Sequence, residues 1–170
     1  MSSKEISLEV RLRIFKALIA PIFLYNSELW TISKKDSIKI DTFQRKFLRQ
    51  IVRRRKTKNS NLYKICDTIP WTLQIKERRL KWFGHLQRLP REAPARIAYE
   101  EVTTKPVKKV RGGQPLTWLK IIERDLNSIG IKIQKAIEVS QDRDLYHSDI
   151  VIRAMDEALE KISSADADEM

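Results

Sequence analysis

Apolar residues in this 170-residue chain seldom alternate with polar ones; they recur every three to four positions, the period of an α-helix with one buried side. Leu, Ile, Lys, Arg and Glu dominate, and only four glycines interrupt them, a composition that favours helices over sheets. The expected fold class is therefore all-α: an irregular domain of about six to eight helices, or two small helical subdomains joined by a basic loop. No apolar run approaches the roughly 20 residues of a spanning helix, so no membrane partner is expected.

Helix signals divide the chain further. Ser7 is the N-cap of a first helix in which Val10, Ile14, Ala17, Leu18 and Pro21 share a face, with Pro21 expected to kink or end it before Tyr25. After a turn at Asn26-Ser27, Ser33 with Asp36 opens a second helix expected to reach about Arg55. Lys56–Ser60 reads as a polar loop, Asn61–Cys66 as a short helix, and Pro70-Trp71-Thr72 as the start of a longer one, Leu73–Leu89, stopped by Pro90. Pro94 and Pro106 bracket a short element around Ile97, Ala98 and Tyr99. Pro115 opens a helix ending at Gly130, followed by Gln134–Val139 and a final helix from about Asp142 to Ile162. The division expected is a basic helical region over 1–102, a basic flexible linker over 103–114, a C-terminal helical region over 115–162, and an acidic tail over 163–170 expected to be disordered.

Charge is distributed unevenly. The net charge is +12, but residues 1–90 hold 21 Lys/Arg against 7 Asp/Glu, whereas residues 91–170 hold 13 against 15. The first half is the candidate polyanion binder, because excess positive charge steers association with phosphates in a salt-dependent way. From Arg45 to Lys58 there are eight basic residues and no acidic one: Arg45, Lys46, Arg49, Arg53, Arg54, Arg55, Lys56 and Lys58. An ordinary solvated helix face intersperses carboxylates that form stabilising pairs, so this density favours nucleic acid over a plain basic surface, an acidic protein or anionic lipid. On the second helix, Ile40, Phe43, Phe47, Leu48 and Ile51 form a core face, while Arg45, Arg49 and Arg53 form a ridge stepping about 6 Å at a time, suited to successive phosphates.

Leu73–Leu89 divides in the same way. Leu73, Ile75, Leu80, Trp82, Phe83, Leu86 and Leu89 cover one half, and Arg78, Lys81, His85 and Arg88 the other. Arg79 projects into the apolar arc, where it must snorkel, pair with a buried carboxylate, or reach bound RNA or DNA. His85 has no carboxylate or serine at a triad-like spacing, so a phosphate contact or a surface position outranks catalysis. Trp30, Trp71, Trp82 and Trp118 each lie beside apolar periodic positions and are read as core, with Trp71 kept as a candidate for base stacking. The basic run Lys108, Lys109 and Arg111 is a secondary phosphate contact.

Cys66 is the only cysteine, and with two distant histidines it forms no zinc set. No metal or cofactor is expected. A single thiol fits a reducing compartment, and the N-terminus lacks an apolar signal core, so the expectation is an intracellular chain, nuclear or cytoplasmic.

Five runs stand in a recognisable order: Ile22-Phe23-Leu24-Tyr25-Asn26-Ser27-Glu28-Leu29-Trp30, Phe43-Gln44-Arg45-Lys46-Phe47-Leu48-Arg49, Arg78 through Pro90, Arg111-Gly112-Gly113-Gln114-Pro115-Leu116-Thr117-Trp118, and Gln141-Asp142-Arg143-Asp144-Leu145-Tyr146. Together, over about residues 7–151, they resemble the C-terminal, post-palm region of reverse transcriptases from non-LTR, LINE-type retrotransposons. The resemblance implies a thumb and C-terminal extension that grip a primer–template or element RNA. It also implies that the polymerase carboxylates belong to a preceding palm, so an upstream palm and fingers are the partners expected within a longer protein. The chain departs from the family pattern at Asn26, where the family has glycine, at Gly113-Gln114-Pro115, where a cation is missing, and at Tyr146, where tryptophan is usual.

No Tyr-x-Asp-Asp sequence is present, and Asp142 with Asp144 reads as a cap rather than a metal pair. The expectation is a nucleic-acid-binding, reverse-transcriptase-like fragment without catalytic residues. The alternative is a domesticated or decayed helical protein-interaction module binding an acidic partner, whose signature would be an apolar patch at Leu145, Ile150, Ile152 and Leu159.

Overall fold

Helix Trp71–Arg88 enters two hydrophobic cores, one at each end, because its apolar arc runs along its whole length. The computed structural model describes residues 6–104 and 116–167, with side chains to residue 162. Its helices are α1 (residues 8–23), α2 (Lys34–Val52), α3 (Asn59–Ile65), α4 (Trp71–Arg88), α5 (Pro94–Thr104), α6 (Trp118–Asn127), α7 (Ile133–Val139) and α8 (residues 143–167). Of the described residues 76% are helical and none lies in a strand, as the periodicity demands. Lys108, Lys109, Arg111 and Pro115 lie outside the described residues.

The first core gathers around Trp71. Its ring stacks between Phe15 at 5.8 Å and Phe23 at 4.2 Å, with Phe43 and Phe47 at the margin. Leu24, Leu48, Leu62, Cys66 and Ile75 complete the core. The polar start of α4 is closed by α2: buried Gln44 accepts from the Trp71 backbone N–H at 2.7 Å and donates to the Ile69 carbonyl at 2.9 Å. Asp41 accepts from both the N–H and the hydroxyl of Thr72, at 3.1 and 2.6 Å. Pro70 offers no side-chain cap, so these two residues of α2 satisfy the orphan donors of α4. Burial raises the Asp41 carboxyl above its ordinary range, opposed by its bonds to Thr72.

α1 ends at Phe23, before Tyr25 as expected, but departs from expectation within. Pro21 itself does not interrupt it: Phe15–Ile19 forms a π-helical turn just upstream, and the helix continues through Pro21 to Phe23. A widened turn relieves the clash between a proline ring and the preceding turn, which explains the continuity. The buried face is also the opposite one. Leu12, Phe15, Ala20 and Phe23 pack on the core, whereas Val10, Ile14, Ala17, Leu18 and Pro21 are exposed. Both sides of α1 are apolar, and the side bearing aromatic rings has the larger area to bury.

The second core joins Leu80 and Phe83 of α4 to Ile122 and Leu126 of α6, Ala136 of α7, and Tyr146, Ile150 and Val151 of α8. Tyr146 lies across Gly84 so closely that a Cβ there would sit 2.5 Å from its ring, and its hydroxyl donates to the Leu80 carbonyl at 2.9 Å. Burial pushes the Tyr146 phenol far above its ordinary range. Gly130, at φ +70°, ends the α6 turn in a Schellman arrangement: Ile131 N–H donates to the Leu126 carbonyl and Gly130 N–H to that of Asn127, both at 3.1 Å. α8 contains a π turn at His147–Ile152 and continues through Ala167, beyond the Ile162 end expected from sequence. On α8 the apolar residues are divided: Ile150 is core, and Leu145, Ile152 and Leu159 are exposed.

Candidate nucleic-acid interface

The basic segment from Arg45 to Lys58 folds differently from a continuous ridge. α2 ends at Val52, and Arg53 adopts the left-handed conformation with φ 58° and ψ 26°, its N–H donating to the Gln50 carbonyl at 3.3 Å. The chain turns there because Arg49 ties the following loop back, donating to the Thr57 carbonyl at 3.3 Å and to Asn59 Oδ1 at 2.8 Å. Arg45, half-buried, donates to Thr42 Oγ1 at 2.9 Å beside Tyr63. The ridge expected at Arg45, Arg49 and Arg53 is therefore corrected: two of its members are internal clamps and the third has left the helix. Lys46 on α2 and Arg53, Arg54, Arg55, Lys56 and Lys58 in the loop are exposed. Among them, Lys46, Arg54, Arg55, Lys56 and Lys58 make no ion pair with a described residue.

Trp71 is fully buried between two phenylalanines and offers no ring to a base, which overturns its reading as a stacking residue. Among the described residues the exposed aromatics include Tyr25 and Phe43. Trp82 is half-buried, belongs to neither core, and lies 5.2 Å from the exposed His85 ring.

The cations of α4 are used in different ways. Arg78 is exposed yet donates to the Leu24 carbonyl at 2.9 Å, fastening the turn after α1. Arg79 is only 4% exposed and directs both Nε and Nη2 to Asp125 of α6, so of its three readings the buried carboxylate is the one observed. A cation in a core requires such a partner, since the desolvation cost of either charge alone is several kcal/mol (order of magnitude). Lys81 pairs with Glu77 at 2.6 Å, and Arg88 donates to the Ser140 carbonyl at 2.9 Å.

Lys81, His85 and Arg88 nevertheless line one groove, of about 600 Å³, whose other wall is the start of α8 with Arg143, Asp144 and His147. Sequence reasoning missed Arg143 and His147. They stand far along the chain from α4, and only the packing of Tyr146 on Gly84 brings them opposite it. The available signal was the Gln141–Tyr146 run itself, which was read as a motif without a ligand.

Other constellations are structural. Lys76 donates to Ser128 Oγ at 3.0 Å and to the Ala154 carbonyl at 3.4 Å, and Ser128 donates to the Asp125 carbonyl at 2.7 Å, so both groups are engaged in joining α4, α6 and α8. Burial lowers the Lys76 ammonium below its ordinary range. Asp142 caps α8 by accepting from the N–H groups of Asp144 and Leu145 at 2.9 and 3.0 Å. Another cavity, about 1090 Å³ between α1, α3, α4 and α8, mixes signs, and its Lys16 is paired with Asp67 at 2.9 Å. No group of three or more His, Cys, Asp or Glu placed to hold a metal occurs among the described residues. No helix among them is long and apolar enough to cross a membrane.

The chain matches no family model, no curated protein and no solved structure.

Proposed function

We propose that this chain is a nucleic-acid-binding module equivalent to the post-palm part of a LINE-type reverse transcriptase, holding RNA or a primer–template by its phosphates and contributing no catalytic group. The observation that carries this reading is the turn after α2. Arg54, Arg55, Lys56 and Lys58 are exposed, as is Lys46 on α2, and no carboxylate lies between residues 45 and 58. Exposed cations without intramolecular partners release counterions from a phosphate backbone, which is the main source of non-specific affinity. Such a role places the chain with nucleic acid inside the cell, in the nucleus or the cytoplasm.

The runs that carry the family resemblance also touch one another, which supports the same reading. Trp118 Nε1 donates to the Glu28 carbonyl at 2.7 Å, Arg78 reaches Leu24, and Gly84 receives Tyr146. The test is fluorescence anisotropy with labelled single-stranded RNA, duplex RNA and duplex DNA at low salt. All three should bind with little sequence preference, and Arg54→Glu with Arg55→Glu and Lys56→Glu should weaken each by at least about tenfold, a loss expected from several phosphate contacts. Unchanged affinity in that triple variant would refute the assignment of the loop, and binding confined to an acidic protein would favour the interaction-module alternative.

A further inference from the structure

We propose that the groove between α4 and the start of α8 is a separate site for an unpaired nucleotide segment, with Arg143 and Lys81 holding phosphates and Trp82 stacking a base at the rim. This rests on the reading of the chain as a nucleic-acid binder, and it adds a place and a strand state to it.

Three observations converge. The first is charge. Lys81, Arg88 and Arg143 line the groove together with two histidines, His85 and His147, against one lining carboxylate, Asp144. Lys81 keeps Glu77 as a helix neighbour, and Arg88 is partly held by Ser140, but the side chains of Arg143 and His147 make no hydrogen bond or ion pair among the described residues. An unengaged arginine aimed at a concave basic surface is suited to a planar, doubly hydrogen-bonded phosphate contact.

The second is rigidity. Tyr146 forms part of the groove wall, and it is fixed by its bond to the Leu80 carbonyl and by its seat on Gly84. The spacing of the two walls is therefore set by the core, so binding incurs little ordering cost.

The third is a half-buried aromatic that packs into neither core. The Trp82 ring stands 5.2 Å from that of His85, inclined by 38°. Bases inside a duplex present no free face, whereas an unpaired base can stack on such a ring while its phosphates follow adjacent cations. This selects a single strand, or an unpaired end, over a duplex. The groove and the loop after α2 thus read different things: the loop reads charge alone, and the groove reads charge and an unstacked base.

The test compares short single-stranded oligonucleotides, ten-residue RNA and DNA carrying one 2-aminopurine, with a duplex of equal length, on the whole chain. Trp82→Leu and, separately, Arg143→Glu with His147→Glu should each reduce single-strand affinity by about tenfold, the effect of losing one stacked base or a phosphate contact. Duplex affinity should change less than about twofold, and 2-aminopurine quenching should be lost in Trp82→Leu. Circular dichroism verifies folding, and Arg143→Ala, which removes an exposed side chain without a partner, serves if the double variant does not fold. If single strands bind these variants as tightly as the wild type while the loop triple variant loses affinity for every nucleic acid, the groove proposal fails and the general reading stands. If the wild type binds no nucleic acid at low salt, both fail together.

Discussion

The two basic regions of this molecule gather their surface charge in different ways. The segment from Arg45 to Lys58 is the densest cationic run in the chain, yet Arg45 and Arg49 are clamps within the fold and Arg53 closes a helix. The groove is assembled from residues scattered between Lys81 and His147, and it collects cations from two helices facing each other. Density along a chain measures how many charges are available. Surface density depends on which of them the backbone needs, and an arginine near a helix end is readily recruited to hold the carbonyls of the next loop.

The largest effect should come from the one cation placed inside the core. Asp125→Ala leaves Arg79 buried without its carboxylate and should destabilise the chain by about 3–5 kcal/mol, seen as a lower urea midpoint. A shift under about 1 kcal/mol would mean that Arg79 escapes to solvent. Next is the contact that holds the groove walls apart. Gly84→Ala sets a methyl against the Tyr146 ring, with an expected cost of about 1–3 kcal/mol by overpacking and a matching loss of single-strand affinity. A stable variant with an intact groove would show that the ring can move aside.

Within the first region, Arg49→Ala and Arg54→Ala separate clamp from contact. Arg49→Ala should cost about 1–2 kcal/mol by loosening the loop from α2, measured by urea denaturation. Arg54→Ala should leave the midpoint where it is and flatten the salt dependence of binding by about one unit of slope. Identical behaviour in the two would erase the distinction. The smallest effect is at Cys66, whose thiol is buried beside α1 and raised above its ordinary range by that burial. A thiol reagent at neutral pH should label it only after unfolding; prompt labelling of the native chain would place the first core in error.

Much of the helical architecture was readable from local rules. Ser7, Ser33 and Asp142 do accept from backbone N–H groups at the starts of their helices, and Gly130 does end the α6 turn in the left-handed region. Asn26 occupies the left-handed region at φ 52°, which its short amide tolerates in place of glycine. What local rules missed required knowledge of neighbours. α1 carries apolar residues on both sides, and only the stack of Phe15 and Phe23 on Trp71 decides which side is inside. The same stack removes Trp71 from any surface. The stop after Val52 is imposed from Thr57 and Asn59, which lie beyond it in the chain. Of the candidate site, the cations of α4 were legible because they share one helix face, whereas Arg143 and His147 face them only through tertiary packing.

The most direct test of phosphate binding is the salt dependence of affinity for one duplex DNA, compared between the wild type and the variant carrying Arg54→Glu, Arg55→Glu and Lys56→Glu. Five free cations at Lys46, Arg54, Arg55, Lys56 and Lys58 should give the wild type a slope of log affinity on log salt of about −4.5, and the variant a slope shallower by at least about two units with much weaker binding. A wild-type slope near zero, or a variant whose slope and affinity match the wild type, would contradict it.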